Sequence, residues 1–343
     1  MWAYSSPARR HQVGSLQAWA CFKWGNFLGS FAGAERPILR LNMDETSVKL
    51  ASTMKKGYVM IGGRPRRIAL RGGPRPSLSL RRSALSLVAF ACDDPSVQPS
   101  LPHVFVTNEH VLSKGDVEGL RMSCPGNVFV LRRRSSWVNT SLLVEIIELL
   151  AEMIRPLLAS RTVVLSMDAC RTHLNPQVAK ACAKAGIFIM FIPALATSCL
   201  QPLDVCVFGE YKRVVAEEVE RRRLAVATGT LPRSAVVDAY AKCIPAVLES
   251  KSWAHAFELT GLRGQASLSS DLKRRLQWGD AELVPSELPS LADLQAIYPR
   301  RANVPIEDIF GLVLARELER SRPPVTLRLP PQARLPAGPP LLA

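Results

Sequence analysis

The run Thr162-Val-Val-Leu-Ser-Met-Asp-Ala-Cys-Arg-Thr-His173 carries an apolar strand pattern straight into a carboxylate. Side chains alternate along a strand, so Val163, Leu165 and Met167 share one face while Val164, Ser166 and Asp168 share the other. A carboxylate at the end of so apolar a run has to be hydrogen-bonded, paired or metal-bound. Far upstream, Ile38-Leu-Arg-Leu-Asn-Met-Asp44 repeats the pattern, with Leu39, Leu41 and Met43 opposite Arg40, Asn42 and Asp44. If the two runs are neighbouring strands with their apolar faces on one core, Asp44 and Asp168 emerge on the same side of the sheet. A third carboxylate closes Thr197-Ser-Cys-Leu-Gln-Pro-Leu-Asp204. Pro202 suits the first turn of a helix there, with Leu203, Val207 and Tyr211 spaced to face the core. Near the positive end of that helix dipole, an ionised Asp204 is favoured by roughly 0.3 to 1 kcal/mol.

Working outward, Ala84 to Cys92 and Val104 to Thr107 are apolar runs bounded by turn residues, and we expect strands there. Ser141 to Arg155 has the spacing of a buried amphipathic helix, with Asn139 or Thr140 as its cap and Pro156 at its end. Pro176 to Ala185 is expected as a short helix stopped by Gly186, and Ile187 to Ile192 as a buried strand stopped by Pro193. Beyond Glu217 the pattern is mainly helical, including Ala235 to Ile244, Trp253 to Leu259 and Ile306 to Glu319. The order, strands first and then alternating helix and strand, predicts an α/β fold: a mixed five-stranded sheet with helices on both faces and a mainly helical C-terminal region. The expected organisation is a short N-terminal remnant at 1–36, a core at 37–215, a helical region at 216–320 and a Pro-rich tail at 321–343.

Composition narrows the partners. The chain has 343 residues, 48% of them hydrophobic, enough for packed cores. Lys and Arg exceed Asp and Glu by 15, an excess that favours phosphate-bearing partners, with nucleic acid first. No stretch approaches the roughly 18 uninterrupted apolar residues of a spanning helix, so no membrane partner is expected. Eight cysteines without a C-x-x-C pair suggest neither a zinc framework nor a secreted disulfide scaffold.

Four blocks together carry a resemblance: Asn42-Met-Asp-Glu-Thr46, Met167-Asp-Ala-Cys-Arg-Thr-His173, Gly186-Ile-Phe-Ile-Met-Phe-Ile-Pro193, and Thr197 to Phe208 running into Tyr211-Lys-Arg213. In order and spacing they resemble the DDE superfamily endonucleases, transposases with a ribonuclease-H-like core, and the pogo and Tigger-like branch of the mariner superfamily fits best. The resemblance implies a catalytic Asp44, Asp168 and Asp204 triad holding two Mg²⁺ or Mn²⁺ ions, with Asp44 bridging both. Two such ions can activate water, neutralise the phosphate and stabilise the leaving oxygen. It also implies a DNA partner and paired-end chemistry compatible with a homodimer; nuclear location is inferred from that partner and the basic clusters, and no small-molecule cofactor is expected. Glu45, His173 and Gln201 are candidate supporting or DNA-contacting residues. One departure stands out: many members have Asn directly after the second Asp, where this chain has Ala169.

Arg132, Arg133 and Arg134, Lys212 with Arg213, the Arg-rich segment 64–82 and the Arg221 to Arg223 run are candidate phosphate contacts. Such contacts position a duplex without reading its sequence. Relatives usually carry a helix-turn-helix region ahead of the core, for which residues 1–36 leave little room, so the chain reads as truncated or domesticated. The expected function is a metal-dependent DNA endonuclease and strand transferase derived from a transposon. The alternative is a decayed or domesticated fragment that only binds nucleic acid.

Overall fold

A computed structural model describes residues 36–48, 56–61, 64–69, 85–192, 196–227, 231–263 and 270–276. Its centre is a mixed sheet of six strands. β1 (Ile38–Val48), β4 (Leu85–Cys92), β5 (His103–Asn108), β6 (Val128–Arg133), β7 (Thr162–Asp168) and β8 (Ile187–Ile192) lie in the order β6-β5-β4-β1-β7-β8. β4 runs antiparallel to both its neighbours, whereas β1, β7 and β8 are mutually parallel, as are β5 and β6. A single reversed strand beside a central β1, with parallel strands on the far side, is the ribonuclease-H-like arrangement. β2 (Lys56–Ile61) and β3 (Arg64–Ala69) form a separate antiparallel pair, and β3 takes up the start of the Arg-rich segment.

The expected count of five strands is corrected to six. The additional strand is β6, whose Val128-Phe-Val-Leu start gives way to Arg132 and Arg133, so its charges mask the apolar pattern. As the outermost strand it has one ladder partner, and a charged end suits an edge open to water.

Helices cover both faces. The side bearing Leu39, Leu41, Met43, Leu165 and Met167 packs on α2 (Thr140–Met153) and α4 (Pro176–Lys184). α2 starts where Asn139 accepts from the Leu142 amide at 3.0 Å, and Gly186, at φ 73°, takes the left-handed turn that ends the segment after α4. The other side, with Leu87, Ala89, Phe105 and Val130, packs on α1 (Lys114–Ser123), α6 (Phe208–Leu224) and α7 (Arg233–Ile244). α1 carries a capping box between Ser113 and Asp116 that was not anticipated from the sequence. Short helices α3 (Arg155–Leu158), α5 (Thr197–Leu200), α8 (Ala254–Leu259) and α9 (Ser270–Leu276) complete the described set, making the C-terminal part helical. α6 runs unbroken through residue 215, where the sequence pattern suggests a boundary. The expected N-terminal remnant apart from residue 36, the Ile306 to Glu319 helix and the Pro-rich tail lie outside the described residues. No helix among the described residues is long and apolar enough to cross a membrane.

Candidate active site

The β1–β7 register decides where two of the three carboxylates meet. Asn42 faces Ser166 in that parallel pairing. The ladder ends there; carried two residues further, the same alternation puts Asp44 and Asp168 on one face, and Asp168 is near enough for its charge to raise Asp44.

Asp204 arrives from the helical layer, and a buried amide brings it there. Asn42 Nδ2 donates to the Ser166 carbonyl at 3.1 Å and to its hydroxyl at 3.2 Å, while Asn42 Oδ1 accepts from the Leu203 amide at 3.0 Å. Ser166 Oγ in turn donates to the Leu41 carbonyl at 2.9 Å. One side chain thus ties β1, β7 and the segment leading into α6 together, and Asp204 is the next residue after Leu203. That segment, Leu203–Val207, is a wide π-type turn in which the Phe208 amide reaches back to the Leu203 carbonyl. Such turns are rare and recur at functional sites. The Asp204 and Asp44 carboxyls lie close enough for each to shift the other's ionisation.

The electrostatics of the three carboxyls differ. Burial, then the nearby Asp204, pushes Asp44 up to about 8, against the Glu45 amide that donates to its Oδ1 at 2.7 Å. Asp204 is also raised, first by burial, with Lys212 opposing and Asp168 adding to the effect. Two carboxyls in contact cannot both ionise cheaply and share a proton. A divalent cation would relieve that crowding, and a set of carboxylate oxygens suits Mg²⁺ or Mn²⁺. Asp168 moves the other way. Burial would raise it, but hydrogen bonding and charge from His173, with hydrogen bonds from Cys170, hold it below the ordinary carboxylate value.

His173 is almost fully buried between two acids. Its Nδ1 lies 2.5 Å from Asp168 Oδ1 and 3.0 Å from the Asp168 carbonyl, and its Nε2 lies 3.7 Å from Glu45 Oε1. Burial alone would depress the imidazole, yet the neighbouring Asp168, Cys170 and Glu45 raise it well above 6.5. Glu45 and His173 therefore stand behind Asp168. Gln201 is completely buried, and neither amide atom of its side chain has a partner among the described residues. Its backbone carbonyl accepts from the Val205 amide at 2.9 Å, so its visible role is in the turn.

The basic candidates separate. Arg132 caps the Leu112 and Glu109 carbonyls at 3.0 and 3.2 Å, and Arg133 pairs with Glu145. Arg134 is exposed and makes no contact of this kind among the described residues. Lys212 Nζ lies 5.4 Å from the centre of the Phe208 ring, and its charge reaches Asp204. Arg213 pairs with Glu217 at 2.8 Å. The Arg221 to Arg223 run is taken up by Glu218, Asp238 and Glu220. Sequence reasoning did not assign the bridging role of Asn42 or the place of Cys170. For Asn42 the signal was present, since alternation puts an amide on the Asp44 face of a buried strand, where it needs partners.

Residues 127–239 match the model of the DDE superfamily endonuclease family, a span that includes Asp168 and Asp204. No curated protein matches the chain in sequence. Among solved structures, the Mos1 strand transfer complex is 12% identical over 78% of this chain and 63% of that one, with a TM-score of 0.43. The Mos1 paired-end complex with left transposon end is 12% identical over 77% and 66%, with a TM-score of 0.40. The Mos1 mariner paired-end complex with Mn is 14% identical over 77% and 66%, with a TM-score of 0.37. The chain thus spans slightly under two thirds of the length of these structures.

Proposed function

We propose that this chain is a DDE-type nuclease and strand transferase that cuts DNA phosphodiester bonds at a divalent-cation site built from Asp44, Asp168 and Asp204. The observation that carries the reading is the convergence itself. Asp44 on β1 lies near enough to Asp204 and Asp168 for both to raise it, and the β1–β7 register and the Asn42 amide support a reading in which the three serve one site. The endonuclease family match over residues 127–239 supports the same chemistry. The finer placement in the pogo and Tigger-like branch rests on the four sequence blocks.

Each residue then has a task. Asp44 and Asp204 supply the crowded oxygens that a cation would hold apart. His173 and Glu45 fix the orientation of Asp168, as supporting shells do for ligating carboxylates. When bound, the divalent ions would supply an activated water, neutralise the scissile phosphate and stabilise the leaving oxygen. Arg134 and Lys212 are the basic candidates best placed to meet DNA phosphate, since neither forms an ion pair among the described residues.

The test is nicking and strand transfer on supercoiled plasmid by purified protein, with Mg²⁺ or Mn²⁺, beside the Asp168→Asn variant, at low and moderate salt. Metal-dependent cleavage that disappears in the variant is the expected result. DNA binding with no cleavage in either metal would make the chain a binding-only relic and refute the proposal.

A further inference from the structure

The cluster at the end of β7 contains a donor that a carboxylate nuclease site has no use for. Cys170 lies two residues after Asp168, in a helical turn closed by the Leu174 amide donating to the Cys170 carbonyl at 3.0 Å. That turn sets Cys170 and His173 three residues apart, on neighbouring positions of one side. A ligand atom from each of Asp168, Cys170 and His173 lies within 4.8 Å of the others. Behind them, the buried His173 Nε2 has no hydrogen-bond partner at proper geometry, and Glu45 Oε1 stands 3.7 Å away.

We propose that Asp168, Cys170 and His173 form a Zn²⁺ site of thiolate, imidazole and carboxylate, which competes with the Asp44–Asp168–Asp204 cluster for Asp168. Thiolate and imidazole are poor ligands for Mg²⁺ and good ones for Zn²⁺, so the two sites differ in the metal they select. Three protein ligands with an open fourth position form a complete coordination pattern for zinc. With Zn–N and Zn–S bonds of about 2.0 and 2.3 Å, tetrahedral donors sit about 3.3 to 3.8 Å apart. Closing on the ion asks the Asp168–His173 pair, now 2.5 Å apart, to open by about an ångström. Nδ1 of His173 faces Asp168 and would take the metal, leaving Nε2–H to donate to Glu45, the arrangement that orients zinc-bound imidazoles elsewhere. Binding releases the thiol proton, and any proton held on Nδ1, to solvent.

The geometry of the site stands alone, but the competition for Asp168 rests on the nuclease reading. Co²⁺ replaces Zn²⁺ as a coloured probe, because thiolate-to-cobalt charge transfer absorbs in the near ultraviolet and oxygen ligands give no such band. Titrating the full chain with Co²⁺ is expected to produce that band at one equivalent, to lose it on adding Zn²⁺, and to lose it in Cys170→Ser. Metal-free melting of Cys170→Ser, matched to the parent, shows that the fold is intact. In cleavage assays at fixed Mg²⁺, micromolar Zn²⁺ is expected to inhibit the parent at least tenfold more strongly than Cys170→Ser. A Co²⁺ spectrum without the thiolate band, or an identical band in Cys170→Ser, overturns the site. A thiolate band in a chain that never cuts DNA supports the site and refutes the nuclease reading. Mg²⁺-dependent cleavage with no thiolate band does the reverse.

Discussion

The carboxylate cluster and the arginine-rich surface of α6 are both dense in charge, yet they are built in opposite ways. On α6 the charges cancel locally. Arg213, Arg221, Arg222 and Arg223 each find an acid within a turn of the same helix, and Arg222 reaches Asp238 on α7 as well. Beside β1 two carboxyls, Asp44 and Asp204, are crowded together instead, and the Asn42 amide holds Leu203, next to Asp204, against the strand. A folded chain tolerates such crowding where something beyond its own side chains is meant to neutralise it. Net charge therefore says little about where a ligand binds, whereas carboxyls crowded and buried enough to raise one another, held in place by buried hydrogen bonds, say a good deal.

The largest expected effect falls on the crowded side. Asp204→Asn should lower metal-dependent plasmid cleavage by about a thousandfold or more, equivalent to about 4 kcal/mol of transition-state stabilisation. Its melting temperature should hold or rise, because a repulsive neighbour of Asp44 is removed. Cleavage within tenfold of the parent would break the comparison.

The acid side of the stability curve gives the next effect. His103 is fully buried in β5, neither ring nitrogen has a partner among the described residues, and burial pushes it down to about 3. Because the folded value lies below the unfolded value near 6.5, the unfolded chain takes up the proton first as pH drops. Stability associated with His103 is complete above about pH 6.5 and is lost between there and pH 3, at up to about 1.4 kcal/mol per unit. His103→Leu should flatten this slope in denaturant melts across that range. An unchanged slope would show that His103 is not the group responsible.

Asn42→Ala comes third, at about 2 kcal/mol, since the Leu203 amide and the Ser166 groups lose a buried partner. Cleavage should fall together with stability, because Asp204 is positioned through Leu203. Lost stability with undiminished cleavage would show that Asp204 reaches the cluster without the bridge.

Much of this site was legible in the sequence because strands alternate strictly. Once β1 and β7 are adjacent, alternation alone puts Asp44 and Asp168 on one face; the same rule puts Asn42 there too, although its need for partners was not drawn from it. The Asn139 cap and the Gly186 turn were legible for a related reason, as each meets a local backbone need. β6 was not, because its arginines obscured a short apolar edge strand. Nor were the arginine pairings, which depend on where side chains meet after folding. Arg132 and Arg133 looked like phosphate contacts, yet one caps loop carbonyls and the other pairs with Glu145.

The smallest effects sharpen that last contrast. Arg222→Ala should cost about 1 kcal/mol of stability, through its half-buried bonds to Glu218 and Asp238, and leave DNA affinity nearly unchanged. Arg134→Ala should leave the melt unchanged and weaken DNA binding by a few-fold, with a reduced dependence on salt. Exchanged outcomes for the two variants would mean that internal pairing does not decide which arginines are available.

The central claim is that Asp44, Asp168 and Asp204 jointly hold a divalent cation, and Mn²⁺ binding followed by electron paramagnetic resonance tests it without DNA. The parent chain is expected to bind Mn²⁺, and each of the three Asp→Asn variants to bind it at least tenfold more weakly. Equal Mn²⁺ affinity in the parent and all three variants would contradict the claim.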